Sequence, residues 1–132
     1  MRRSIWRGAS IRVLVVDDER TLREGCVSVL QADGYNVISC GRGDEALDMA
    51  RRYHPSLIVV DLNMPVLDGL ETIKHFRELE KNGDHTPIVA ITAYDYYGIE
   101  EAALEIGCNK YLSKPLDLSE LDRALKSLGF VV

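Results

Sequence analysis

The stretch "IVVDLNMPVLDG", Ile58 to Gly69, sets the problem posed by this 132-residue chain. A branched apolar run ends on an aspartate, and a proline, a second aspartate and a glycine follow closely. Such a run reads as a strand covered on both faces, as in a parallel sheet packed between helices. Asp61 then ends that strand, at the sheet edge where α/β folds gather their ligands. A turn aspartate is the plainer alternative, and the rest of the sequence must decide between them.

Outward from this stretch, five short runs alternate with helical patterns: IRVLVV (11–16), YNVIS (35–39), SLIVV (56–60), PIVAI (87–91) and NKYLS (109–113). Between them, apolar residues recur at helical spacing. The stripes are Leu22, Cys26, Val29 and Leu30; Ala46, Leu47, Ala50 and Tyr53; Leu70, Ile73, Phe76 and Leu79; Ile99, Ala102, Ala103 and Ile106; and Leu118, Leu121, Leu125 and Leu128. Asp68 with Glu71, and Asp117 with Glu120, have the spacing of an N-cap and its third helical residue. Gly34 and Gly107 stand where helices one and four should end, while Gly25 falls inside helix one. Five βα units joined by short links predict an α/β fold with a parallel sheet between helix layers.

Length and composition fit one soluble domain, with 46% hydrophobic and 28% charged residues. No apolar stretch is long enough to span a bilayer and no secretory signal is visible, which predicts a cytoplasmic protein without membrane attachment. The net charge is −5; the first ten residues hold Arg2, Arg3 and Arg7 and no acid, so residues 11–132 carry −8. Residues 1–10 read as a disordered basic leader and 11–132 as the domain. An acidic body without a Lys/Arg stripe argues against nucleic-acid binding. Cys26, Cys40 and Cys108 lack metal or disulfide spacing and read as reduced core thiols. His54, His75 and His85 read as surface residues.

The strand ends carry the chemistry. Strand one ends in Asp17-Asp18, strand three in Asp61, strand four in Thr92, and strand five in Ser113-Lys114-Pro115. Crowded carboxylates repel, and some should retain a proton unless a cation compensates. A hard divalent ion such as Mg²⁺ suits them, and commonly sits beside a phosphoryl group. Lys114 adds positive charge and Thr92 a hydroxyl donor, both useful to phosphoryl oxygens. Together they suit phosphoryl transfer onto a carboxylate, with Asp61 as nucleophile.

With these residues in hand, the chain resembles the receiver domain of two-component response regulators, over roughly residues 11–129. The resemblance rests on "VLVVDDE", "LIVVDLNMPVLDGLE", "PIVAITA" and "GCNKYLSKPLD", in that order and spacing. It implies a doubly wound, flavodoxin-like (βα)5 sandwich with strand order 2-1-3-4-5, an order taken from the family rather than from periodicity. It also implies a phosphorylation-activated switch. Asp61 would accept a phosphoryl group from a histidine kinase or histidine phosphotransfer protein, and the domain would catalyse only its own phosphorylation and dephosphorylation. Asp18 and Asp61 would ligate Mg²⁺ (or Mn²⁺) by side chain, Asp17 largely through water and Asn63 by its backbone carbonyl. Lys114 would pair with the phosphoryl group, Thr92 and Tyr111 would form the switch, and the bond before Pro115 would be cis. A downstream effector would meet the helix 4–strand 5–helix 5 face, led by the aromatic cluster Tyr94 to Gly98. The protein would be a monomer or a phosphorylation-dependent dimer, either free-standing or cut from a longer regulator. Tyr94 and Asn63 would tune the loss of the acyl phosphate.

Three rivals remain. "GRGDEA" (Gly41–Ala46) imitates a dinucleotide-binding turn, but it follows the second strand and leaves Asp17, Thr92 and Lys114 without roles. A phosphohydrolase working through an aspartyl phosphate would need an acid two residues after the nucleophile, where Asn63 stands. A pseudo-receiver scaffold would not need the complete acid, threonine and lysine set.

Overall fold

Strands Arg12–Val16 (β1), Asn36–Cys40 (β2), Leu57–Asp61 (β3), Ile88–Thr92 (β4) and Lys110–Ser113 (β5) alternate with helices Arg20–Ala32 (α1), Gly43–Tyr53 (α2), Gly69–Leu79 (α3), Ile99–Ile106 (α4) and Leu118–Ser127 (α5). This is a computed structural model, and the residues it describes are 11–64, 68–81, 83–93, 97–114 and 116–130, with the backbone alone for Leu118. The basic leader, Pro65, Tyr94 to Tyr96, and Pro115 with its peptide bond lie outside the described residues. All neighbouring strands pair in parallel, in the order β2-β1-β3-β4-β5. The ladder runs one residue past the apolar stretch in β3 and β4, because Asp61 still pairs with Ile91 and Thr92 with Ser113.

Alternate residues of each strand point to opposite faces, so one sheet feeds two cores. Leu14, Val16, Ile58, Val60, Ile88 and Ala90 meet Ala46 of α2, Ile73 and Phe76 of α3, and Ile99 and Ala103 of α4. On the other face, Val13, Val15, Leu57, Val59, Val89 and Ile91 meet Cys26 and Leu30 of α1 and Leu121 and Leu125 of α5. The continuous apolar runs of β1, β3 and β4 follow from this double covering. All three cysteines are buried and free, as expected, and burial lifts each thiol to about 11. His54 and His85 are exposed, and His75 is half-buried between Glu71 and Glu78.

Among the described residues, two members of the expected stripes depart from this pattern. Leu22 is 40% exposed; each four-residue step overshoots a turn by about 40°, so it lies about 80° round α1 from Leu30. Tyr53 is also exposed, and its ring lies beside the guanidinium groups of Arg12 and Arg52, at 5.6 and 6.0 Å. The caps agree more closely. Asp68 accepts from the Glu71 amide at 2.9 Å, at the expected third helical position. Asp117 caps α5 one residue earlier than expected, through the Ser119 amide at 2.7 Å. Gly34 (φ 95°) follows α1, and Gly107 (φ 128°) ends α4.

The amino end of the sheet is stapled by Arg77, whose side chain is 15% exposed. Its Nε and Nη2 donate to the Gly107 carbonyl at 3.0 and 2.6 Å. Nη1 reaches the Thr86 carbonyl and Glu80, both at 2.8 Å, and Nη2 reaches Asn109 Oδ1 at 2.9 Å. The last turn of α3 is thereby joined to the turns before β4 and β5. A Cβ on Gly107 would lie 2.9 Å from Arg77 Nε, so that turn needs glycine for space as well as for φ.

These placements generate two stability predictions. Gly25→Ala adds a Cβ with nothing within 4 Å, so it should stabilise the domain by about 1 kcal/mol and raise Tm by roughly 4 °C. Arg77→Met leaves the partly buried carbonyls of Thr86 and Gly107 without these donors and should cost about 2 kcal/mol. A lower denaturant midpoint at unchanged slope would show the latter as lost stability rather than a changed unfolded state.

Candidate functional site

The strand order makes β1, β3, β4 and β5 consecutive, so their carboxyl ends open on one edge. Asp17 follows β1, Asp61 ends β3, Thr92 ends β4 and Lys114 follows β5. β2 stands outside this set, and Cys40 at its end contributes a carbonyl that accepts the Asp17 amide at 3.1 Å.

Each side chain is fixed by its own backbone. Asp17 Oδ1 accepts the Glu19 amide at 3.0 Å, while Arg23 Nη1 donates to the Asp17 carbonyl at 2.8 Å. Asp61 Oδ1 accepts the Asn63 amide at 3.0 Å, two residues on. The Lys114 amide donates to the Thr92 carbonyl at 2.7 Å, which sets the start of the lysine loop against β4. From there Lys114 Nζ reaches Asp17 Oδ2 at 3.2 Å and Asp61 Oδ2 at 3.3 Å. The two aspartates are almost completely buried, at 1% and 2% exposure, so this ammonium opposes two carboxylates that water scarcely screens.

Burial raises the Asp61 carboxyl to about 6, with the neighbouring Asp17 charge adding to the rise. The Asn63 amide and Lys114 oppose it without cancelling it. The rise has the direction expected of crowded carboxylates, but burial contributes more to it than the Asp17 charge does. Burial alone would lower the Lys114 ammonium; the charges of Asp61 and Asp17 outweigh it and raise the group instead.

Asp18 is exposed, yet it belongs to the same cluster: one carboxylate oxygen each from Asp17, Asp18 and Asp61 lie within 4.8 Å of one another. Three hard oxygen donors, two of them buried and facing a single ammonium, fit a divalent cation of the magnesium type. Thr92 is fully buried at the same edge, and its hydroxyl donates to Asn63 Oδ1. Tyr111, half-buried on β5, packs against the core cluster to which α3 and α4 also contribute.

Several contributors escaped sequence reasoning. Arg23 holds the Asp17 loop by a contact six residues away, for which no motif exists. Gly41, part of the nucleotide-site decoy, leaves room for Arg23: a Cβ there would come 2.9 Å from Arg23 Nη1, and the following residues start α2. A Cβ on Gly69 would overlap the Asp61 carbonyl oxygen and the Leu62 Cα, so this glycine is needed for close approach. The side-chain bond between Thr92 and Asn63 spans 29 positions and carries no local signal.

A pH prediction follows from Asp61. A carboxyl raised from 3.8 to about 6 contributes stability that is fully present below pH 3.8 and lost as pH rises through 6. In the metal-free protein, Asp61→Asn should therefore stabilise the fold by about 2 kcal/mol at pH 7.5 and by almost nothing near pH 4. Denaturant melts in chelator at the two pH values measure the difference; equal gains at both would refute the electrostatic origin.

Comparison with known proteins agrees with this geometry. The family model of the response regulator receiver domain matches residues 13–126. Response regulator MprA of Mycobacterium bovis is 42% identical over 119 residues, covering 90% of this chain and 50% of the relative. The chain thus spans about half the length of the curated relatives it matches. Among solved structures, the receiver domain of a Pseudomonas aeruginosa sensor histidine kinase, with magnesium coordinated in its active-site cleft, matches at TM-score 0.79 and 33% identity, over 89% of this chain and 95% of that one. A chain of the Saccharomyces cerevisiae complex between the phosphotransfer protein Ypd1 and the receiver domain of Ssk1 matches at TM-score 0.81 and 30% identity, over 90% of this chain and 88% of that one. The parallel order, the acid edge and these matches converge, and the chain belongs to the receiver-domain family of two-component response regulators.

Proposed function

We propose that Asp61 is the phosphoacceptor of this receiver domain and that its donor is a phosphohistidine on a histidine kinase or phosphotransfer protein. The observation that carries the reading is the Lys114 ammonium, 3.2 and 3.3 Å from the buried carboxylates of Asp17 and Asp61, with Asp18 completing the acid cluster. An Asp61 carboxylate oxygen attacks phosphorus, and the electron pair of the breaking P–N bond returns to the imidazole. Lys114 then exchanges a carboxylate for phosphoryl oxygens, and the Thr92 hydroxyl supplies a hydrogen bond as charge settles there. Asp18 and Asp61 would hold Mg²⁺ by side chain, Asp17 largely through water, and Asn63 by its carbonyl. The ion's contribution would be to neutralise phosphoryl oxygens facing an acidic pocket. Deprotonated Asp61 is needed both as nucleophile and as ligand.

Packing of Tyr111 against the core that α4 also lines supports a role for it in passing the change outward. We assign the α4–β5–α5 face to a downstream partner; Tyr97, fully exposed just before α4, and Leu104, at 44% exposure, support that choice. The setting we infer is cytoplasmic; among the described residues no helix is long and apolar enough to cross a membrane. A phosphohydrolase fits less well, since the amide of Asn63 cannot serve as general acid or base.

Incubation with Mg²⁺ and acetyl phosphate should give a single phosphate adduct by intact mass, labile to hydroxylamine. Asp61→Ala should abolish it, and Lys114→Met should slow its formation at least tenfold. An adduct that persists in Asp61→Ala would move the acceptor elsewhere.

A further inference from the structure

The bond from Thr92 to Asn63 points to a function for an amide that the phosphoacceptor chemistry does not use. The Thr92 hydroxyl is fully buried and donates to Asn63 Oδ1. A hydroxyl has one proton to donate, so it serves Asn63 or an oxygen newly attached to Asp61, but not both. Asn63 is held where it can compete, because its own amide is tied to Asp61 Oδ1 at 3.0 Å.

We propose that Asn63 is a positioning residue that latches the Thr92 hydroxyl in the resting state and sets the threshold for switching. The inference rests on Asp61 being the phosphoacceptor. The cost of release is modest: Asn63 is half-buried, so its freed oxygen can take water. A net hydrogen bond of ordinary strength corresponds to a shift of about fivefold in the switching equilibrium. The latch is a differential contact, present in one state and absent in the other, as a population shift requires. Its effect differs from that of a metal ligand, since the backbone carbonyl of Asn63 remains after any side-chain substitution.

The test is a thermodynamic cycle on the intact chain, reading affinity for beryllofluoride, a phosphoryl mimic, by calorimetry at saturating Mg²⁺. Asn63→Ala should tighten binding about fivefold in the wild-type background. The gain should vanish in Thr92→Val, which has no hydroxyl, and survive in Thr92→Ser, which keeps it. Asn63→Leu, which preserves bulk but lacks the acceptor, reads the same coupling if the alanine variant folds poorly. An unchanged or weaker affinity in both Asn63 variants, or an equal gain in Thr92→Val, overturns the latch. Wild-type protein that binds no beryllofluoride overturns instead the phosphoacceptor reading on which the latch depends.

Discussion

Two buried carboxylates and one ammonium set the terms for the carboxyl end of this sheet. Asp17 and Asp61 come from neighbouring strands β1 and β3, while Lys114 follows β5 on the far side of β4. Adjacent strands are about 4.8 Å apart, so the lysine must extend across the end of β4 to meet both acids. The residue at that end is Thr92, small and fully buried. A bulky side chain there would compete for the space of the lysine stem, and a third acid would add to the repulsion. The sheet order is thus a condition of the charge arrangement. With β4 or β5 elsewhere, Asp17 and Asp61 would face each other in a desolvated pocket without a counter-charge.

One ammonium against two buried acids and a third nearby leaves a site that is not electrostatically neutral. Burial raises the Asp61 carboxyl to about 6, and the Asp17 charge adds to the rise that Lys114 only partly opposes. Such a site gains from additional positive charge and is sensitive to where further negative charge is placed. That is a useful property in a switch. The amino end of the sheet is built in the opposite way. Arg77 gathers Gly107, Thr86, Glu80 and Asn109 into one network, through bonds of 2.6 to 3.0 Å. The network anchors α4 at its C-terminal glycine. The other end of that helix begins at Gly98, in a left-handed conformation and without a side-chain cap. Ile99 at that end is buried in the core, so α4 is held there by packing rather than by a side-chain cap.

What the sequence disclosed follows the range of each interaction. β3 was readable because burial on both faces leaves a continuous apolar run, and Asp68 because an N-cap acts within three residues. The acids, Thr92 and Lys114 were readable together because a parallel sheet converts strand ends into neighbours. Leu22 misled because spacing of four resembles a stripe but drifts round the helix, and Tyr53 because an aromatic ring can pack on arginines at the surface. The contacts of Arg77 reach 30 and 32 positions along the chain, and the Thr92 hydroxyl finds Asn63 across 29. No periodicity encodes such distances. They depend on how loops fold over a sheet whose order comes first.

Asp61 and Asp68 show how the same residue type acquires opposite electrostatics within one short stretch. Asp68 is exposed and spends its carboxylate on the first turn of α3; Asp61 is buried and opposes Asp17. They are mechanically joined through Gly69, which begins α3 directly after its cap and donates its amide to the Leu62 carbonyl at 3.2 Å. A Cβ at Gly69 would overlap the carbonyl oxygen of Asp61 itself. The start of the helix is consequently pressed against the backbone that carries the buried acid, at a distance only glycine permits. The cap fixes where α3 begins, and the glycine fixes how closely it lies against β3. The aspartate that merely turns the chain is therefore part of what holds the reactive one in place.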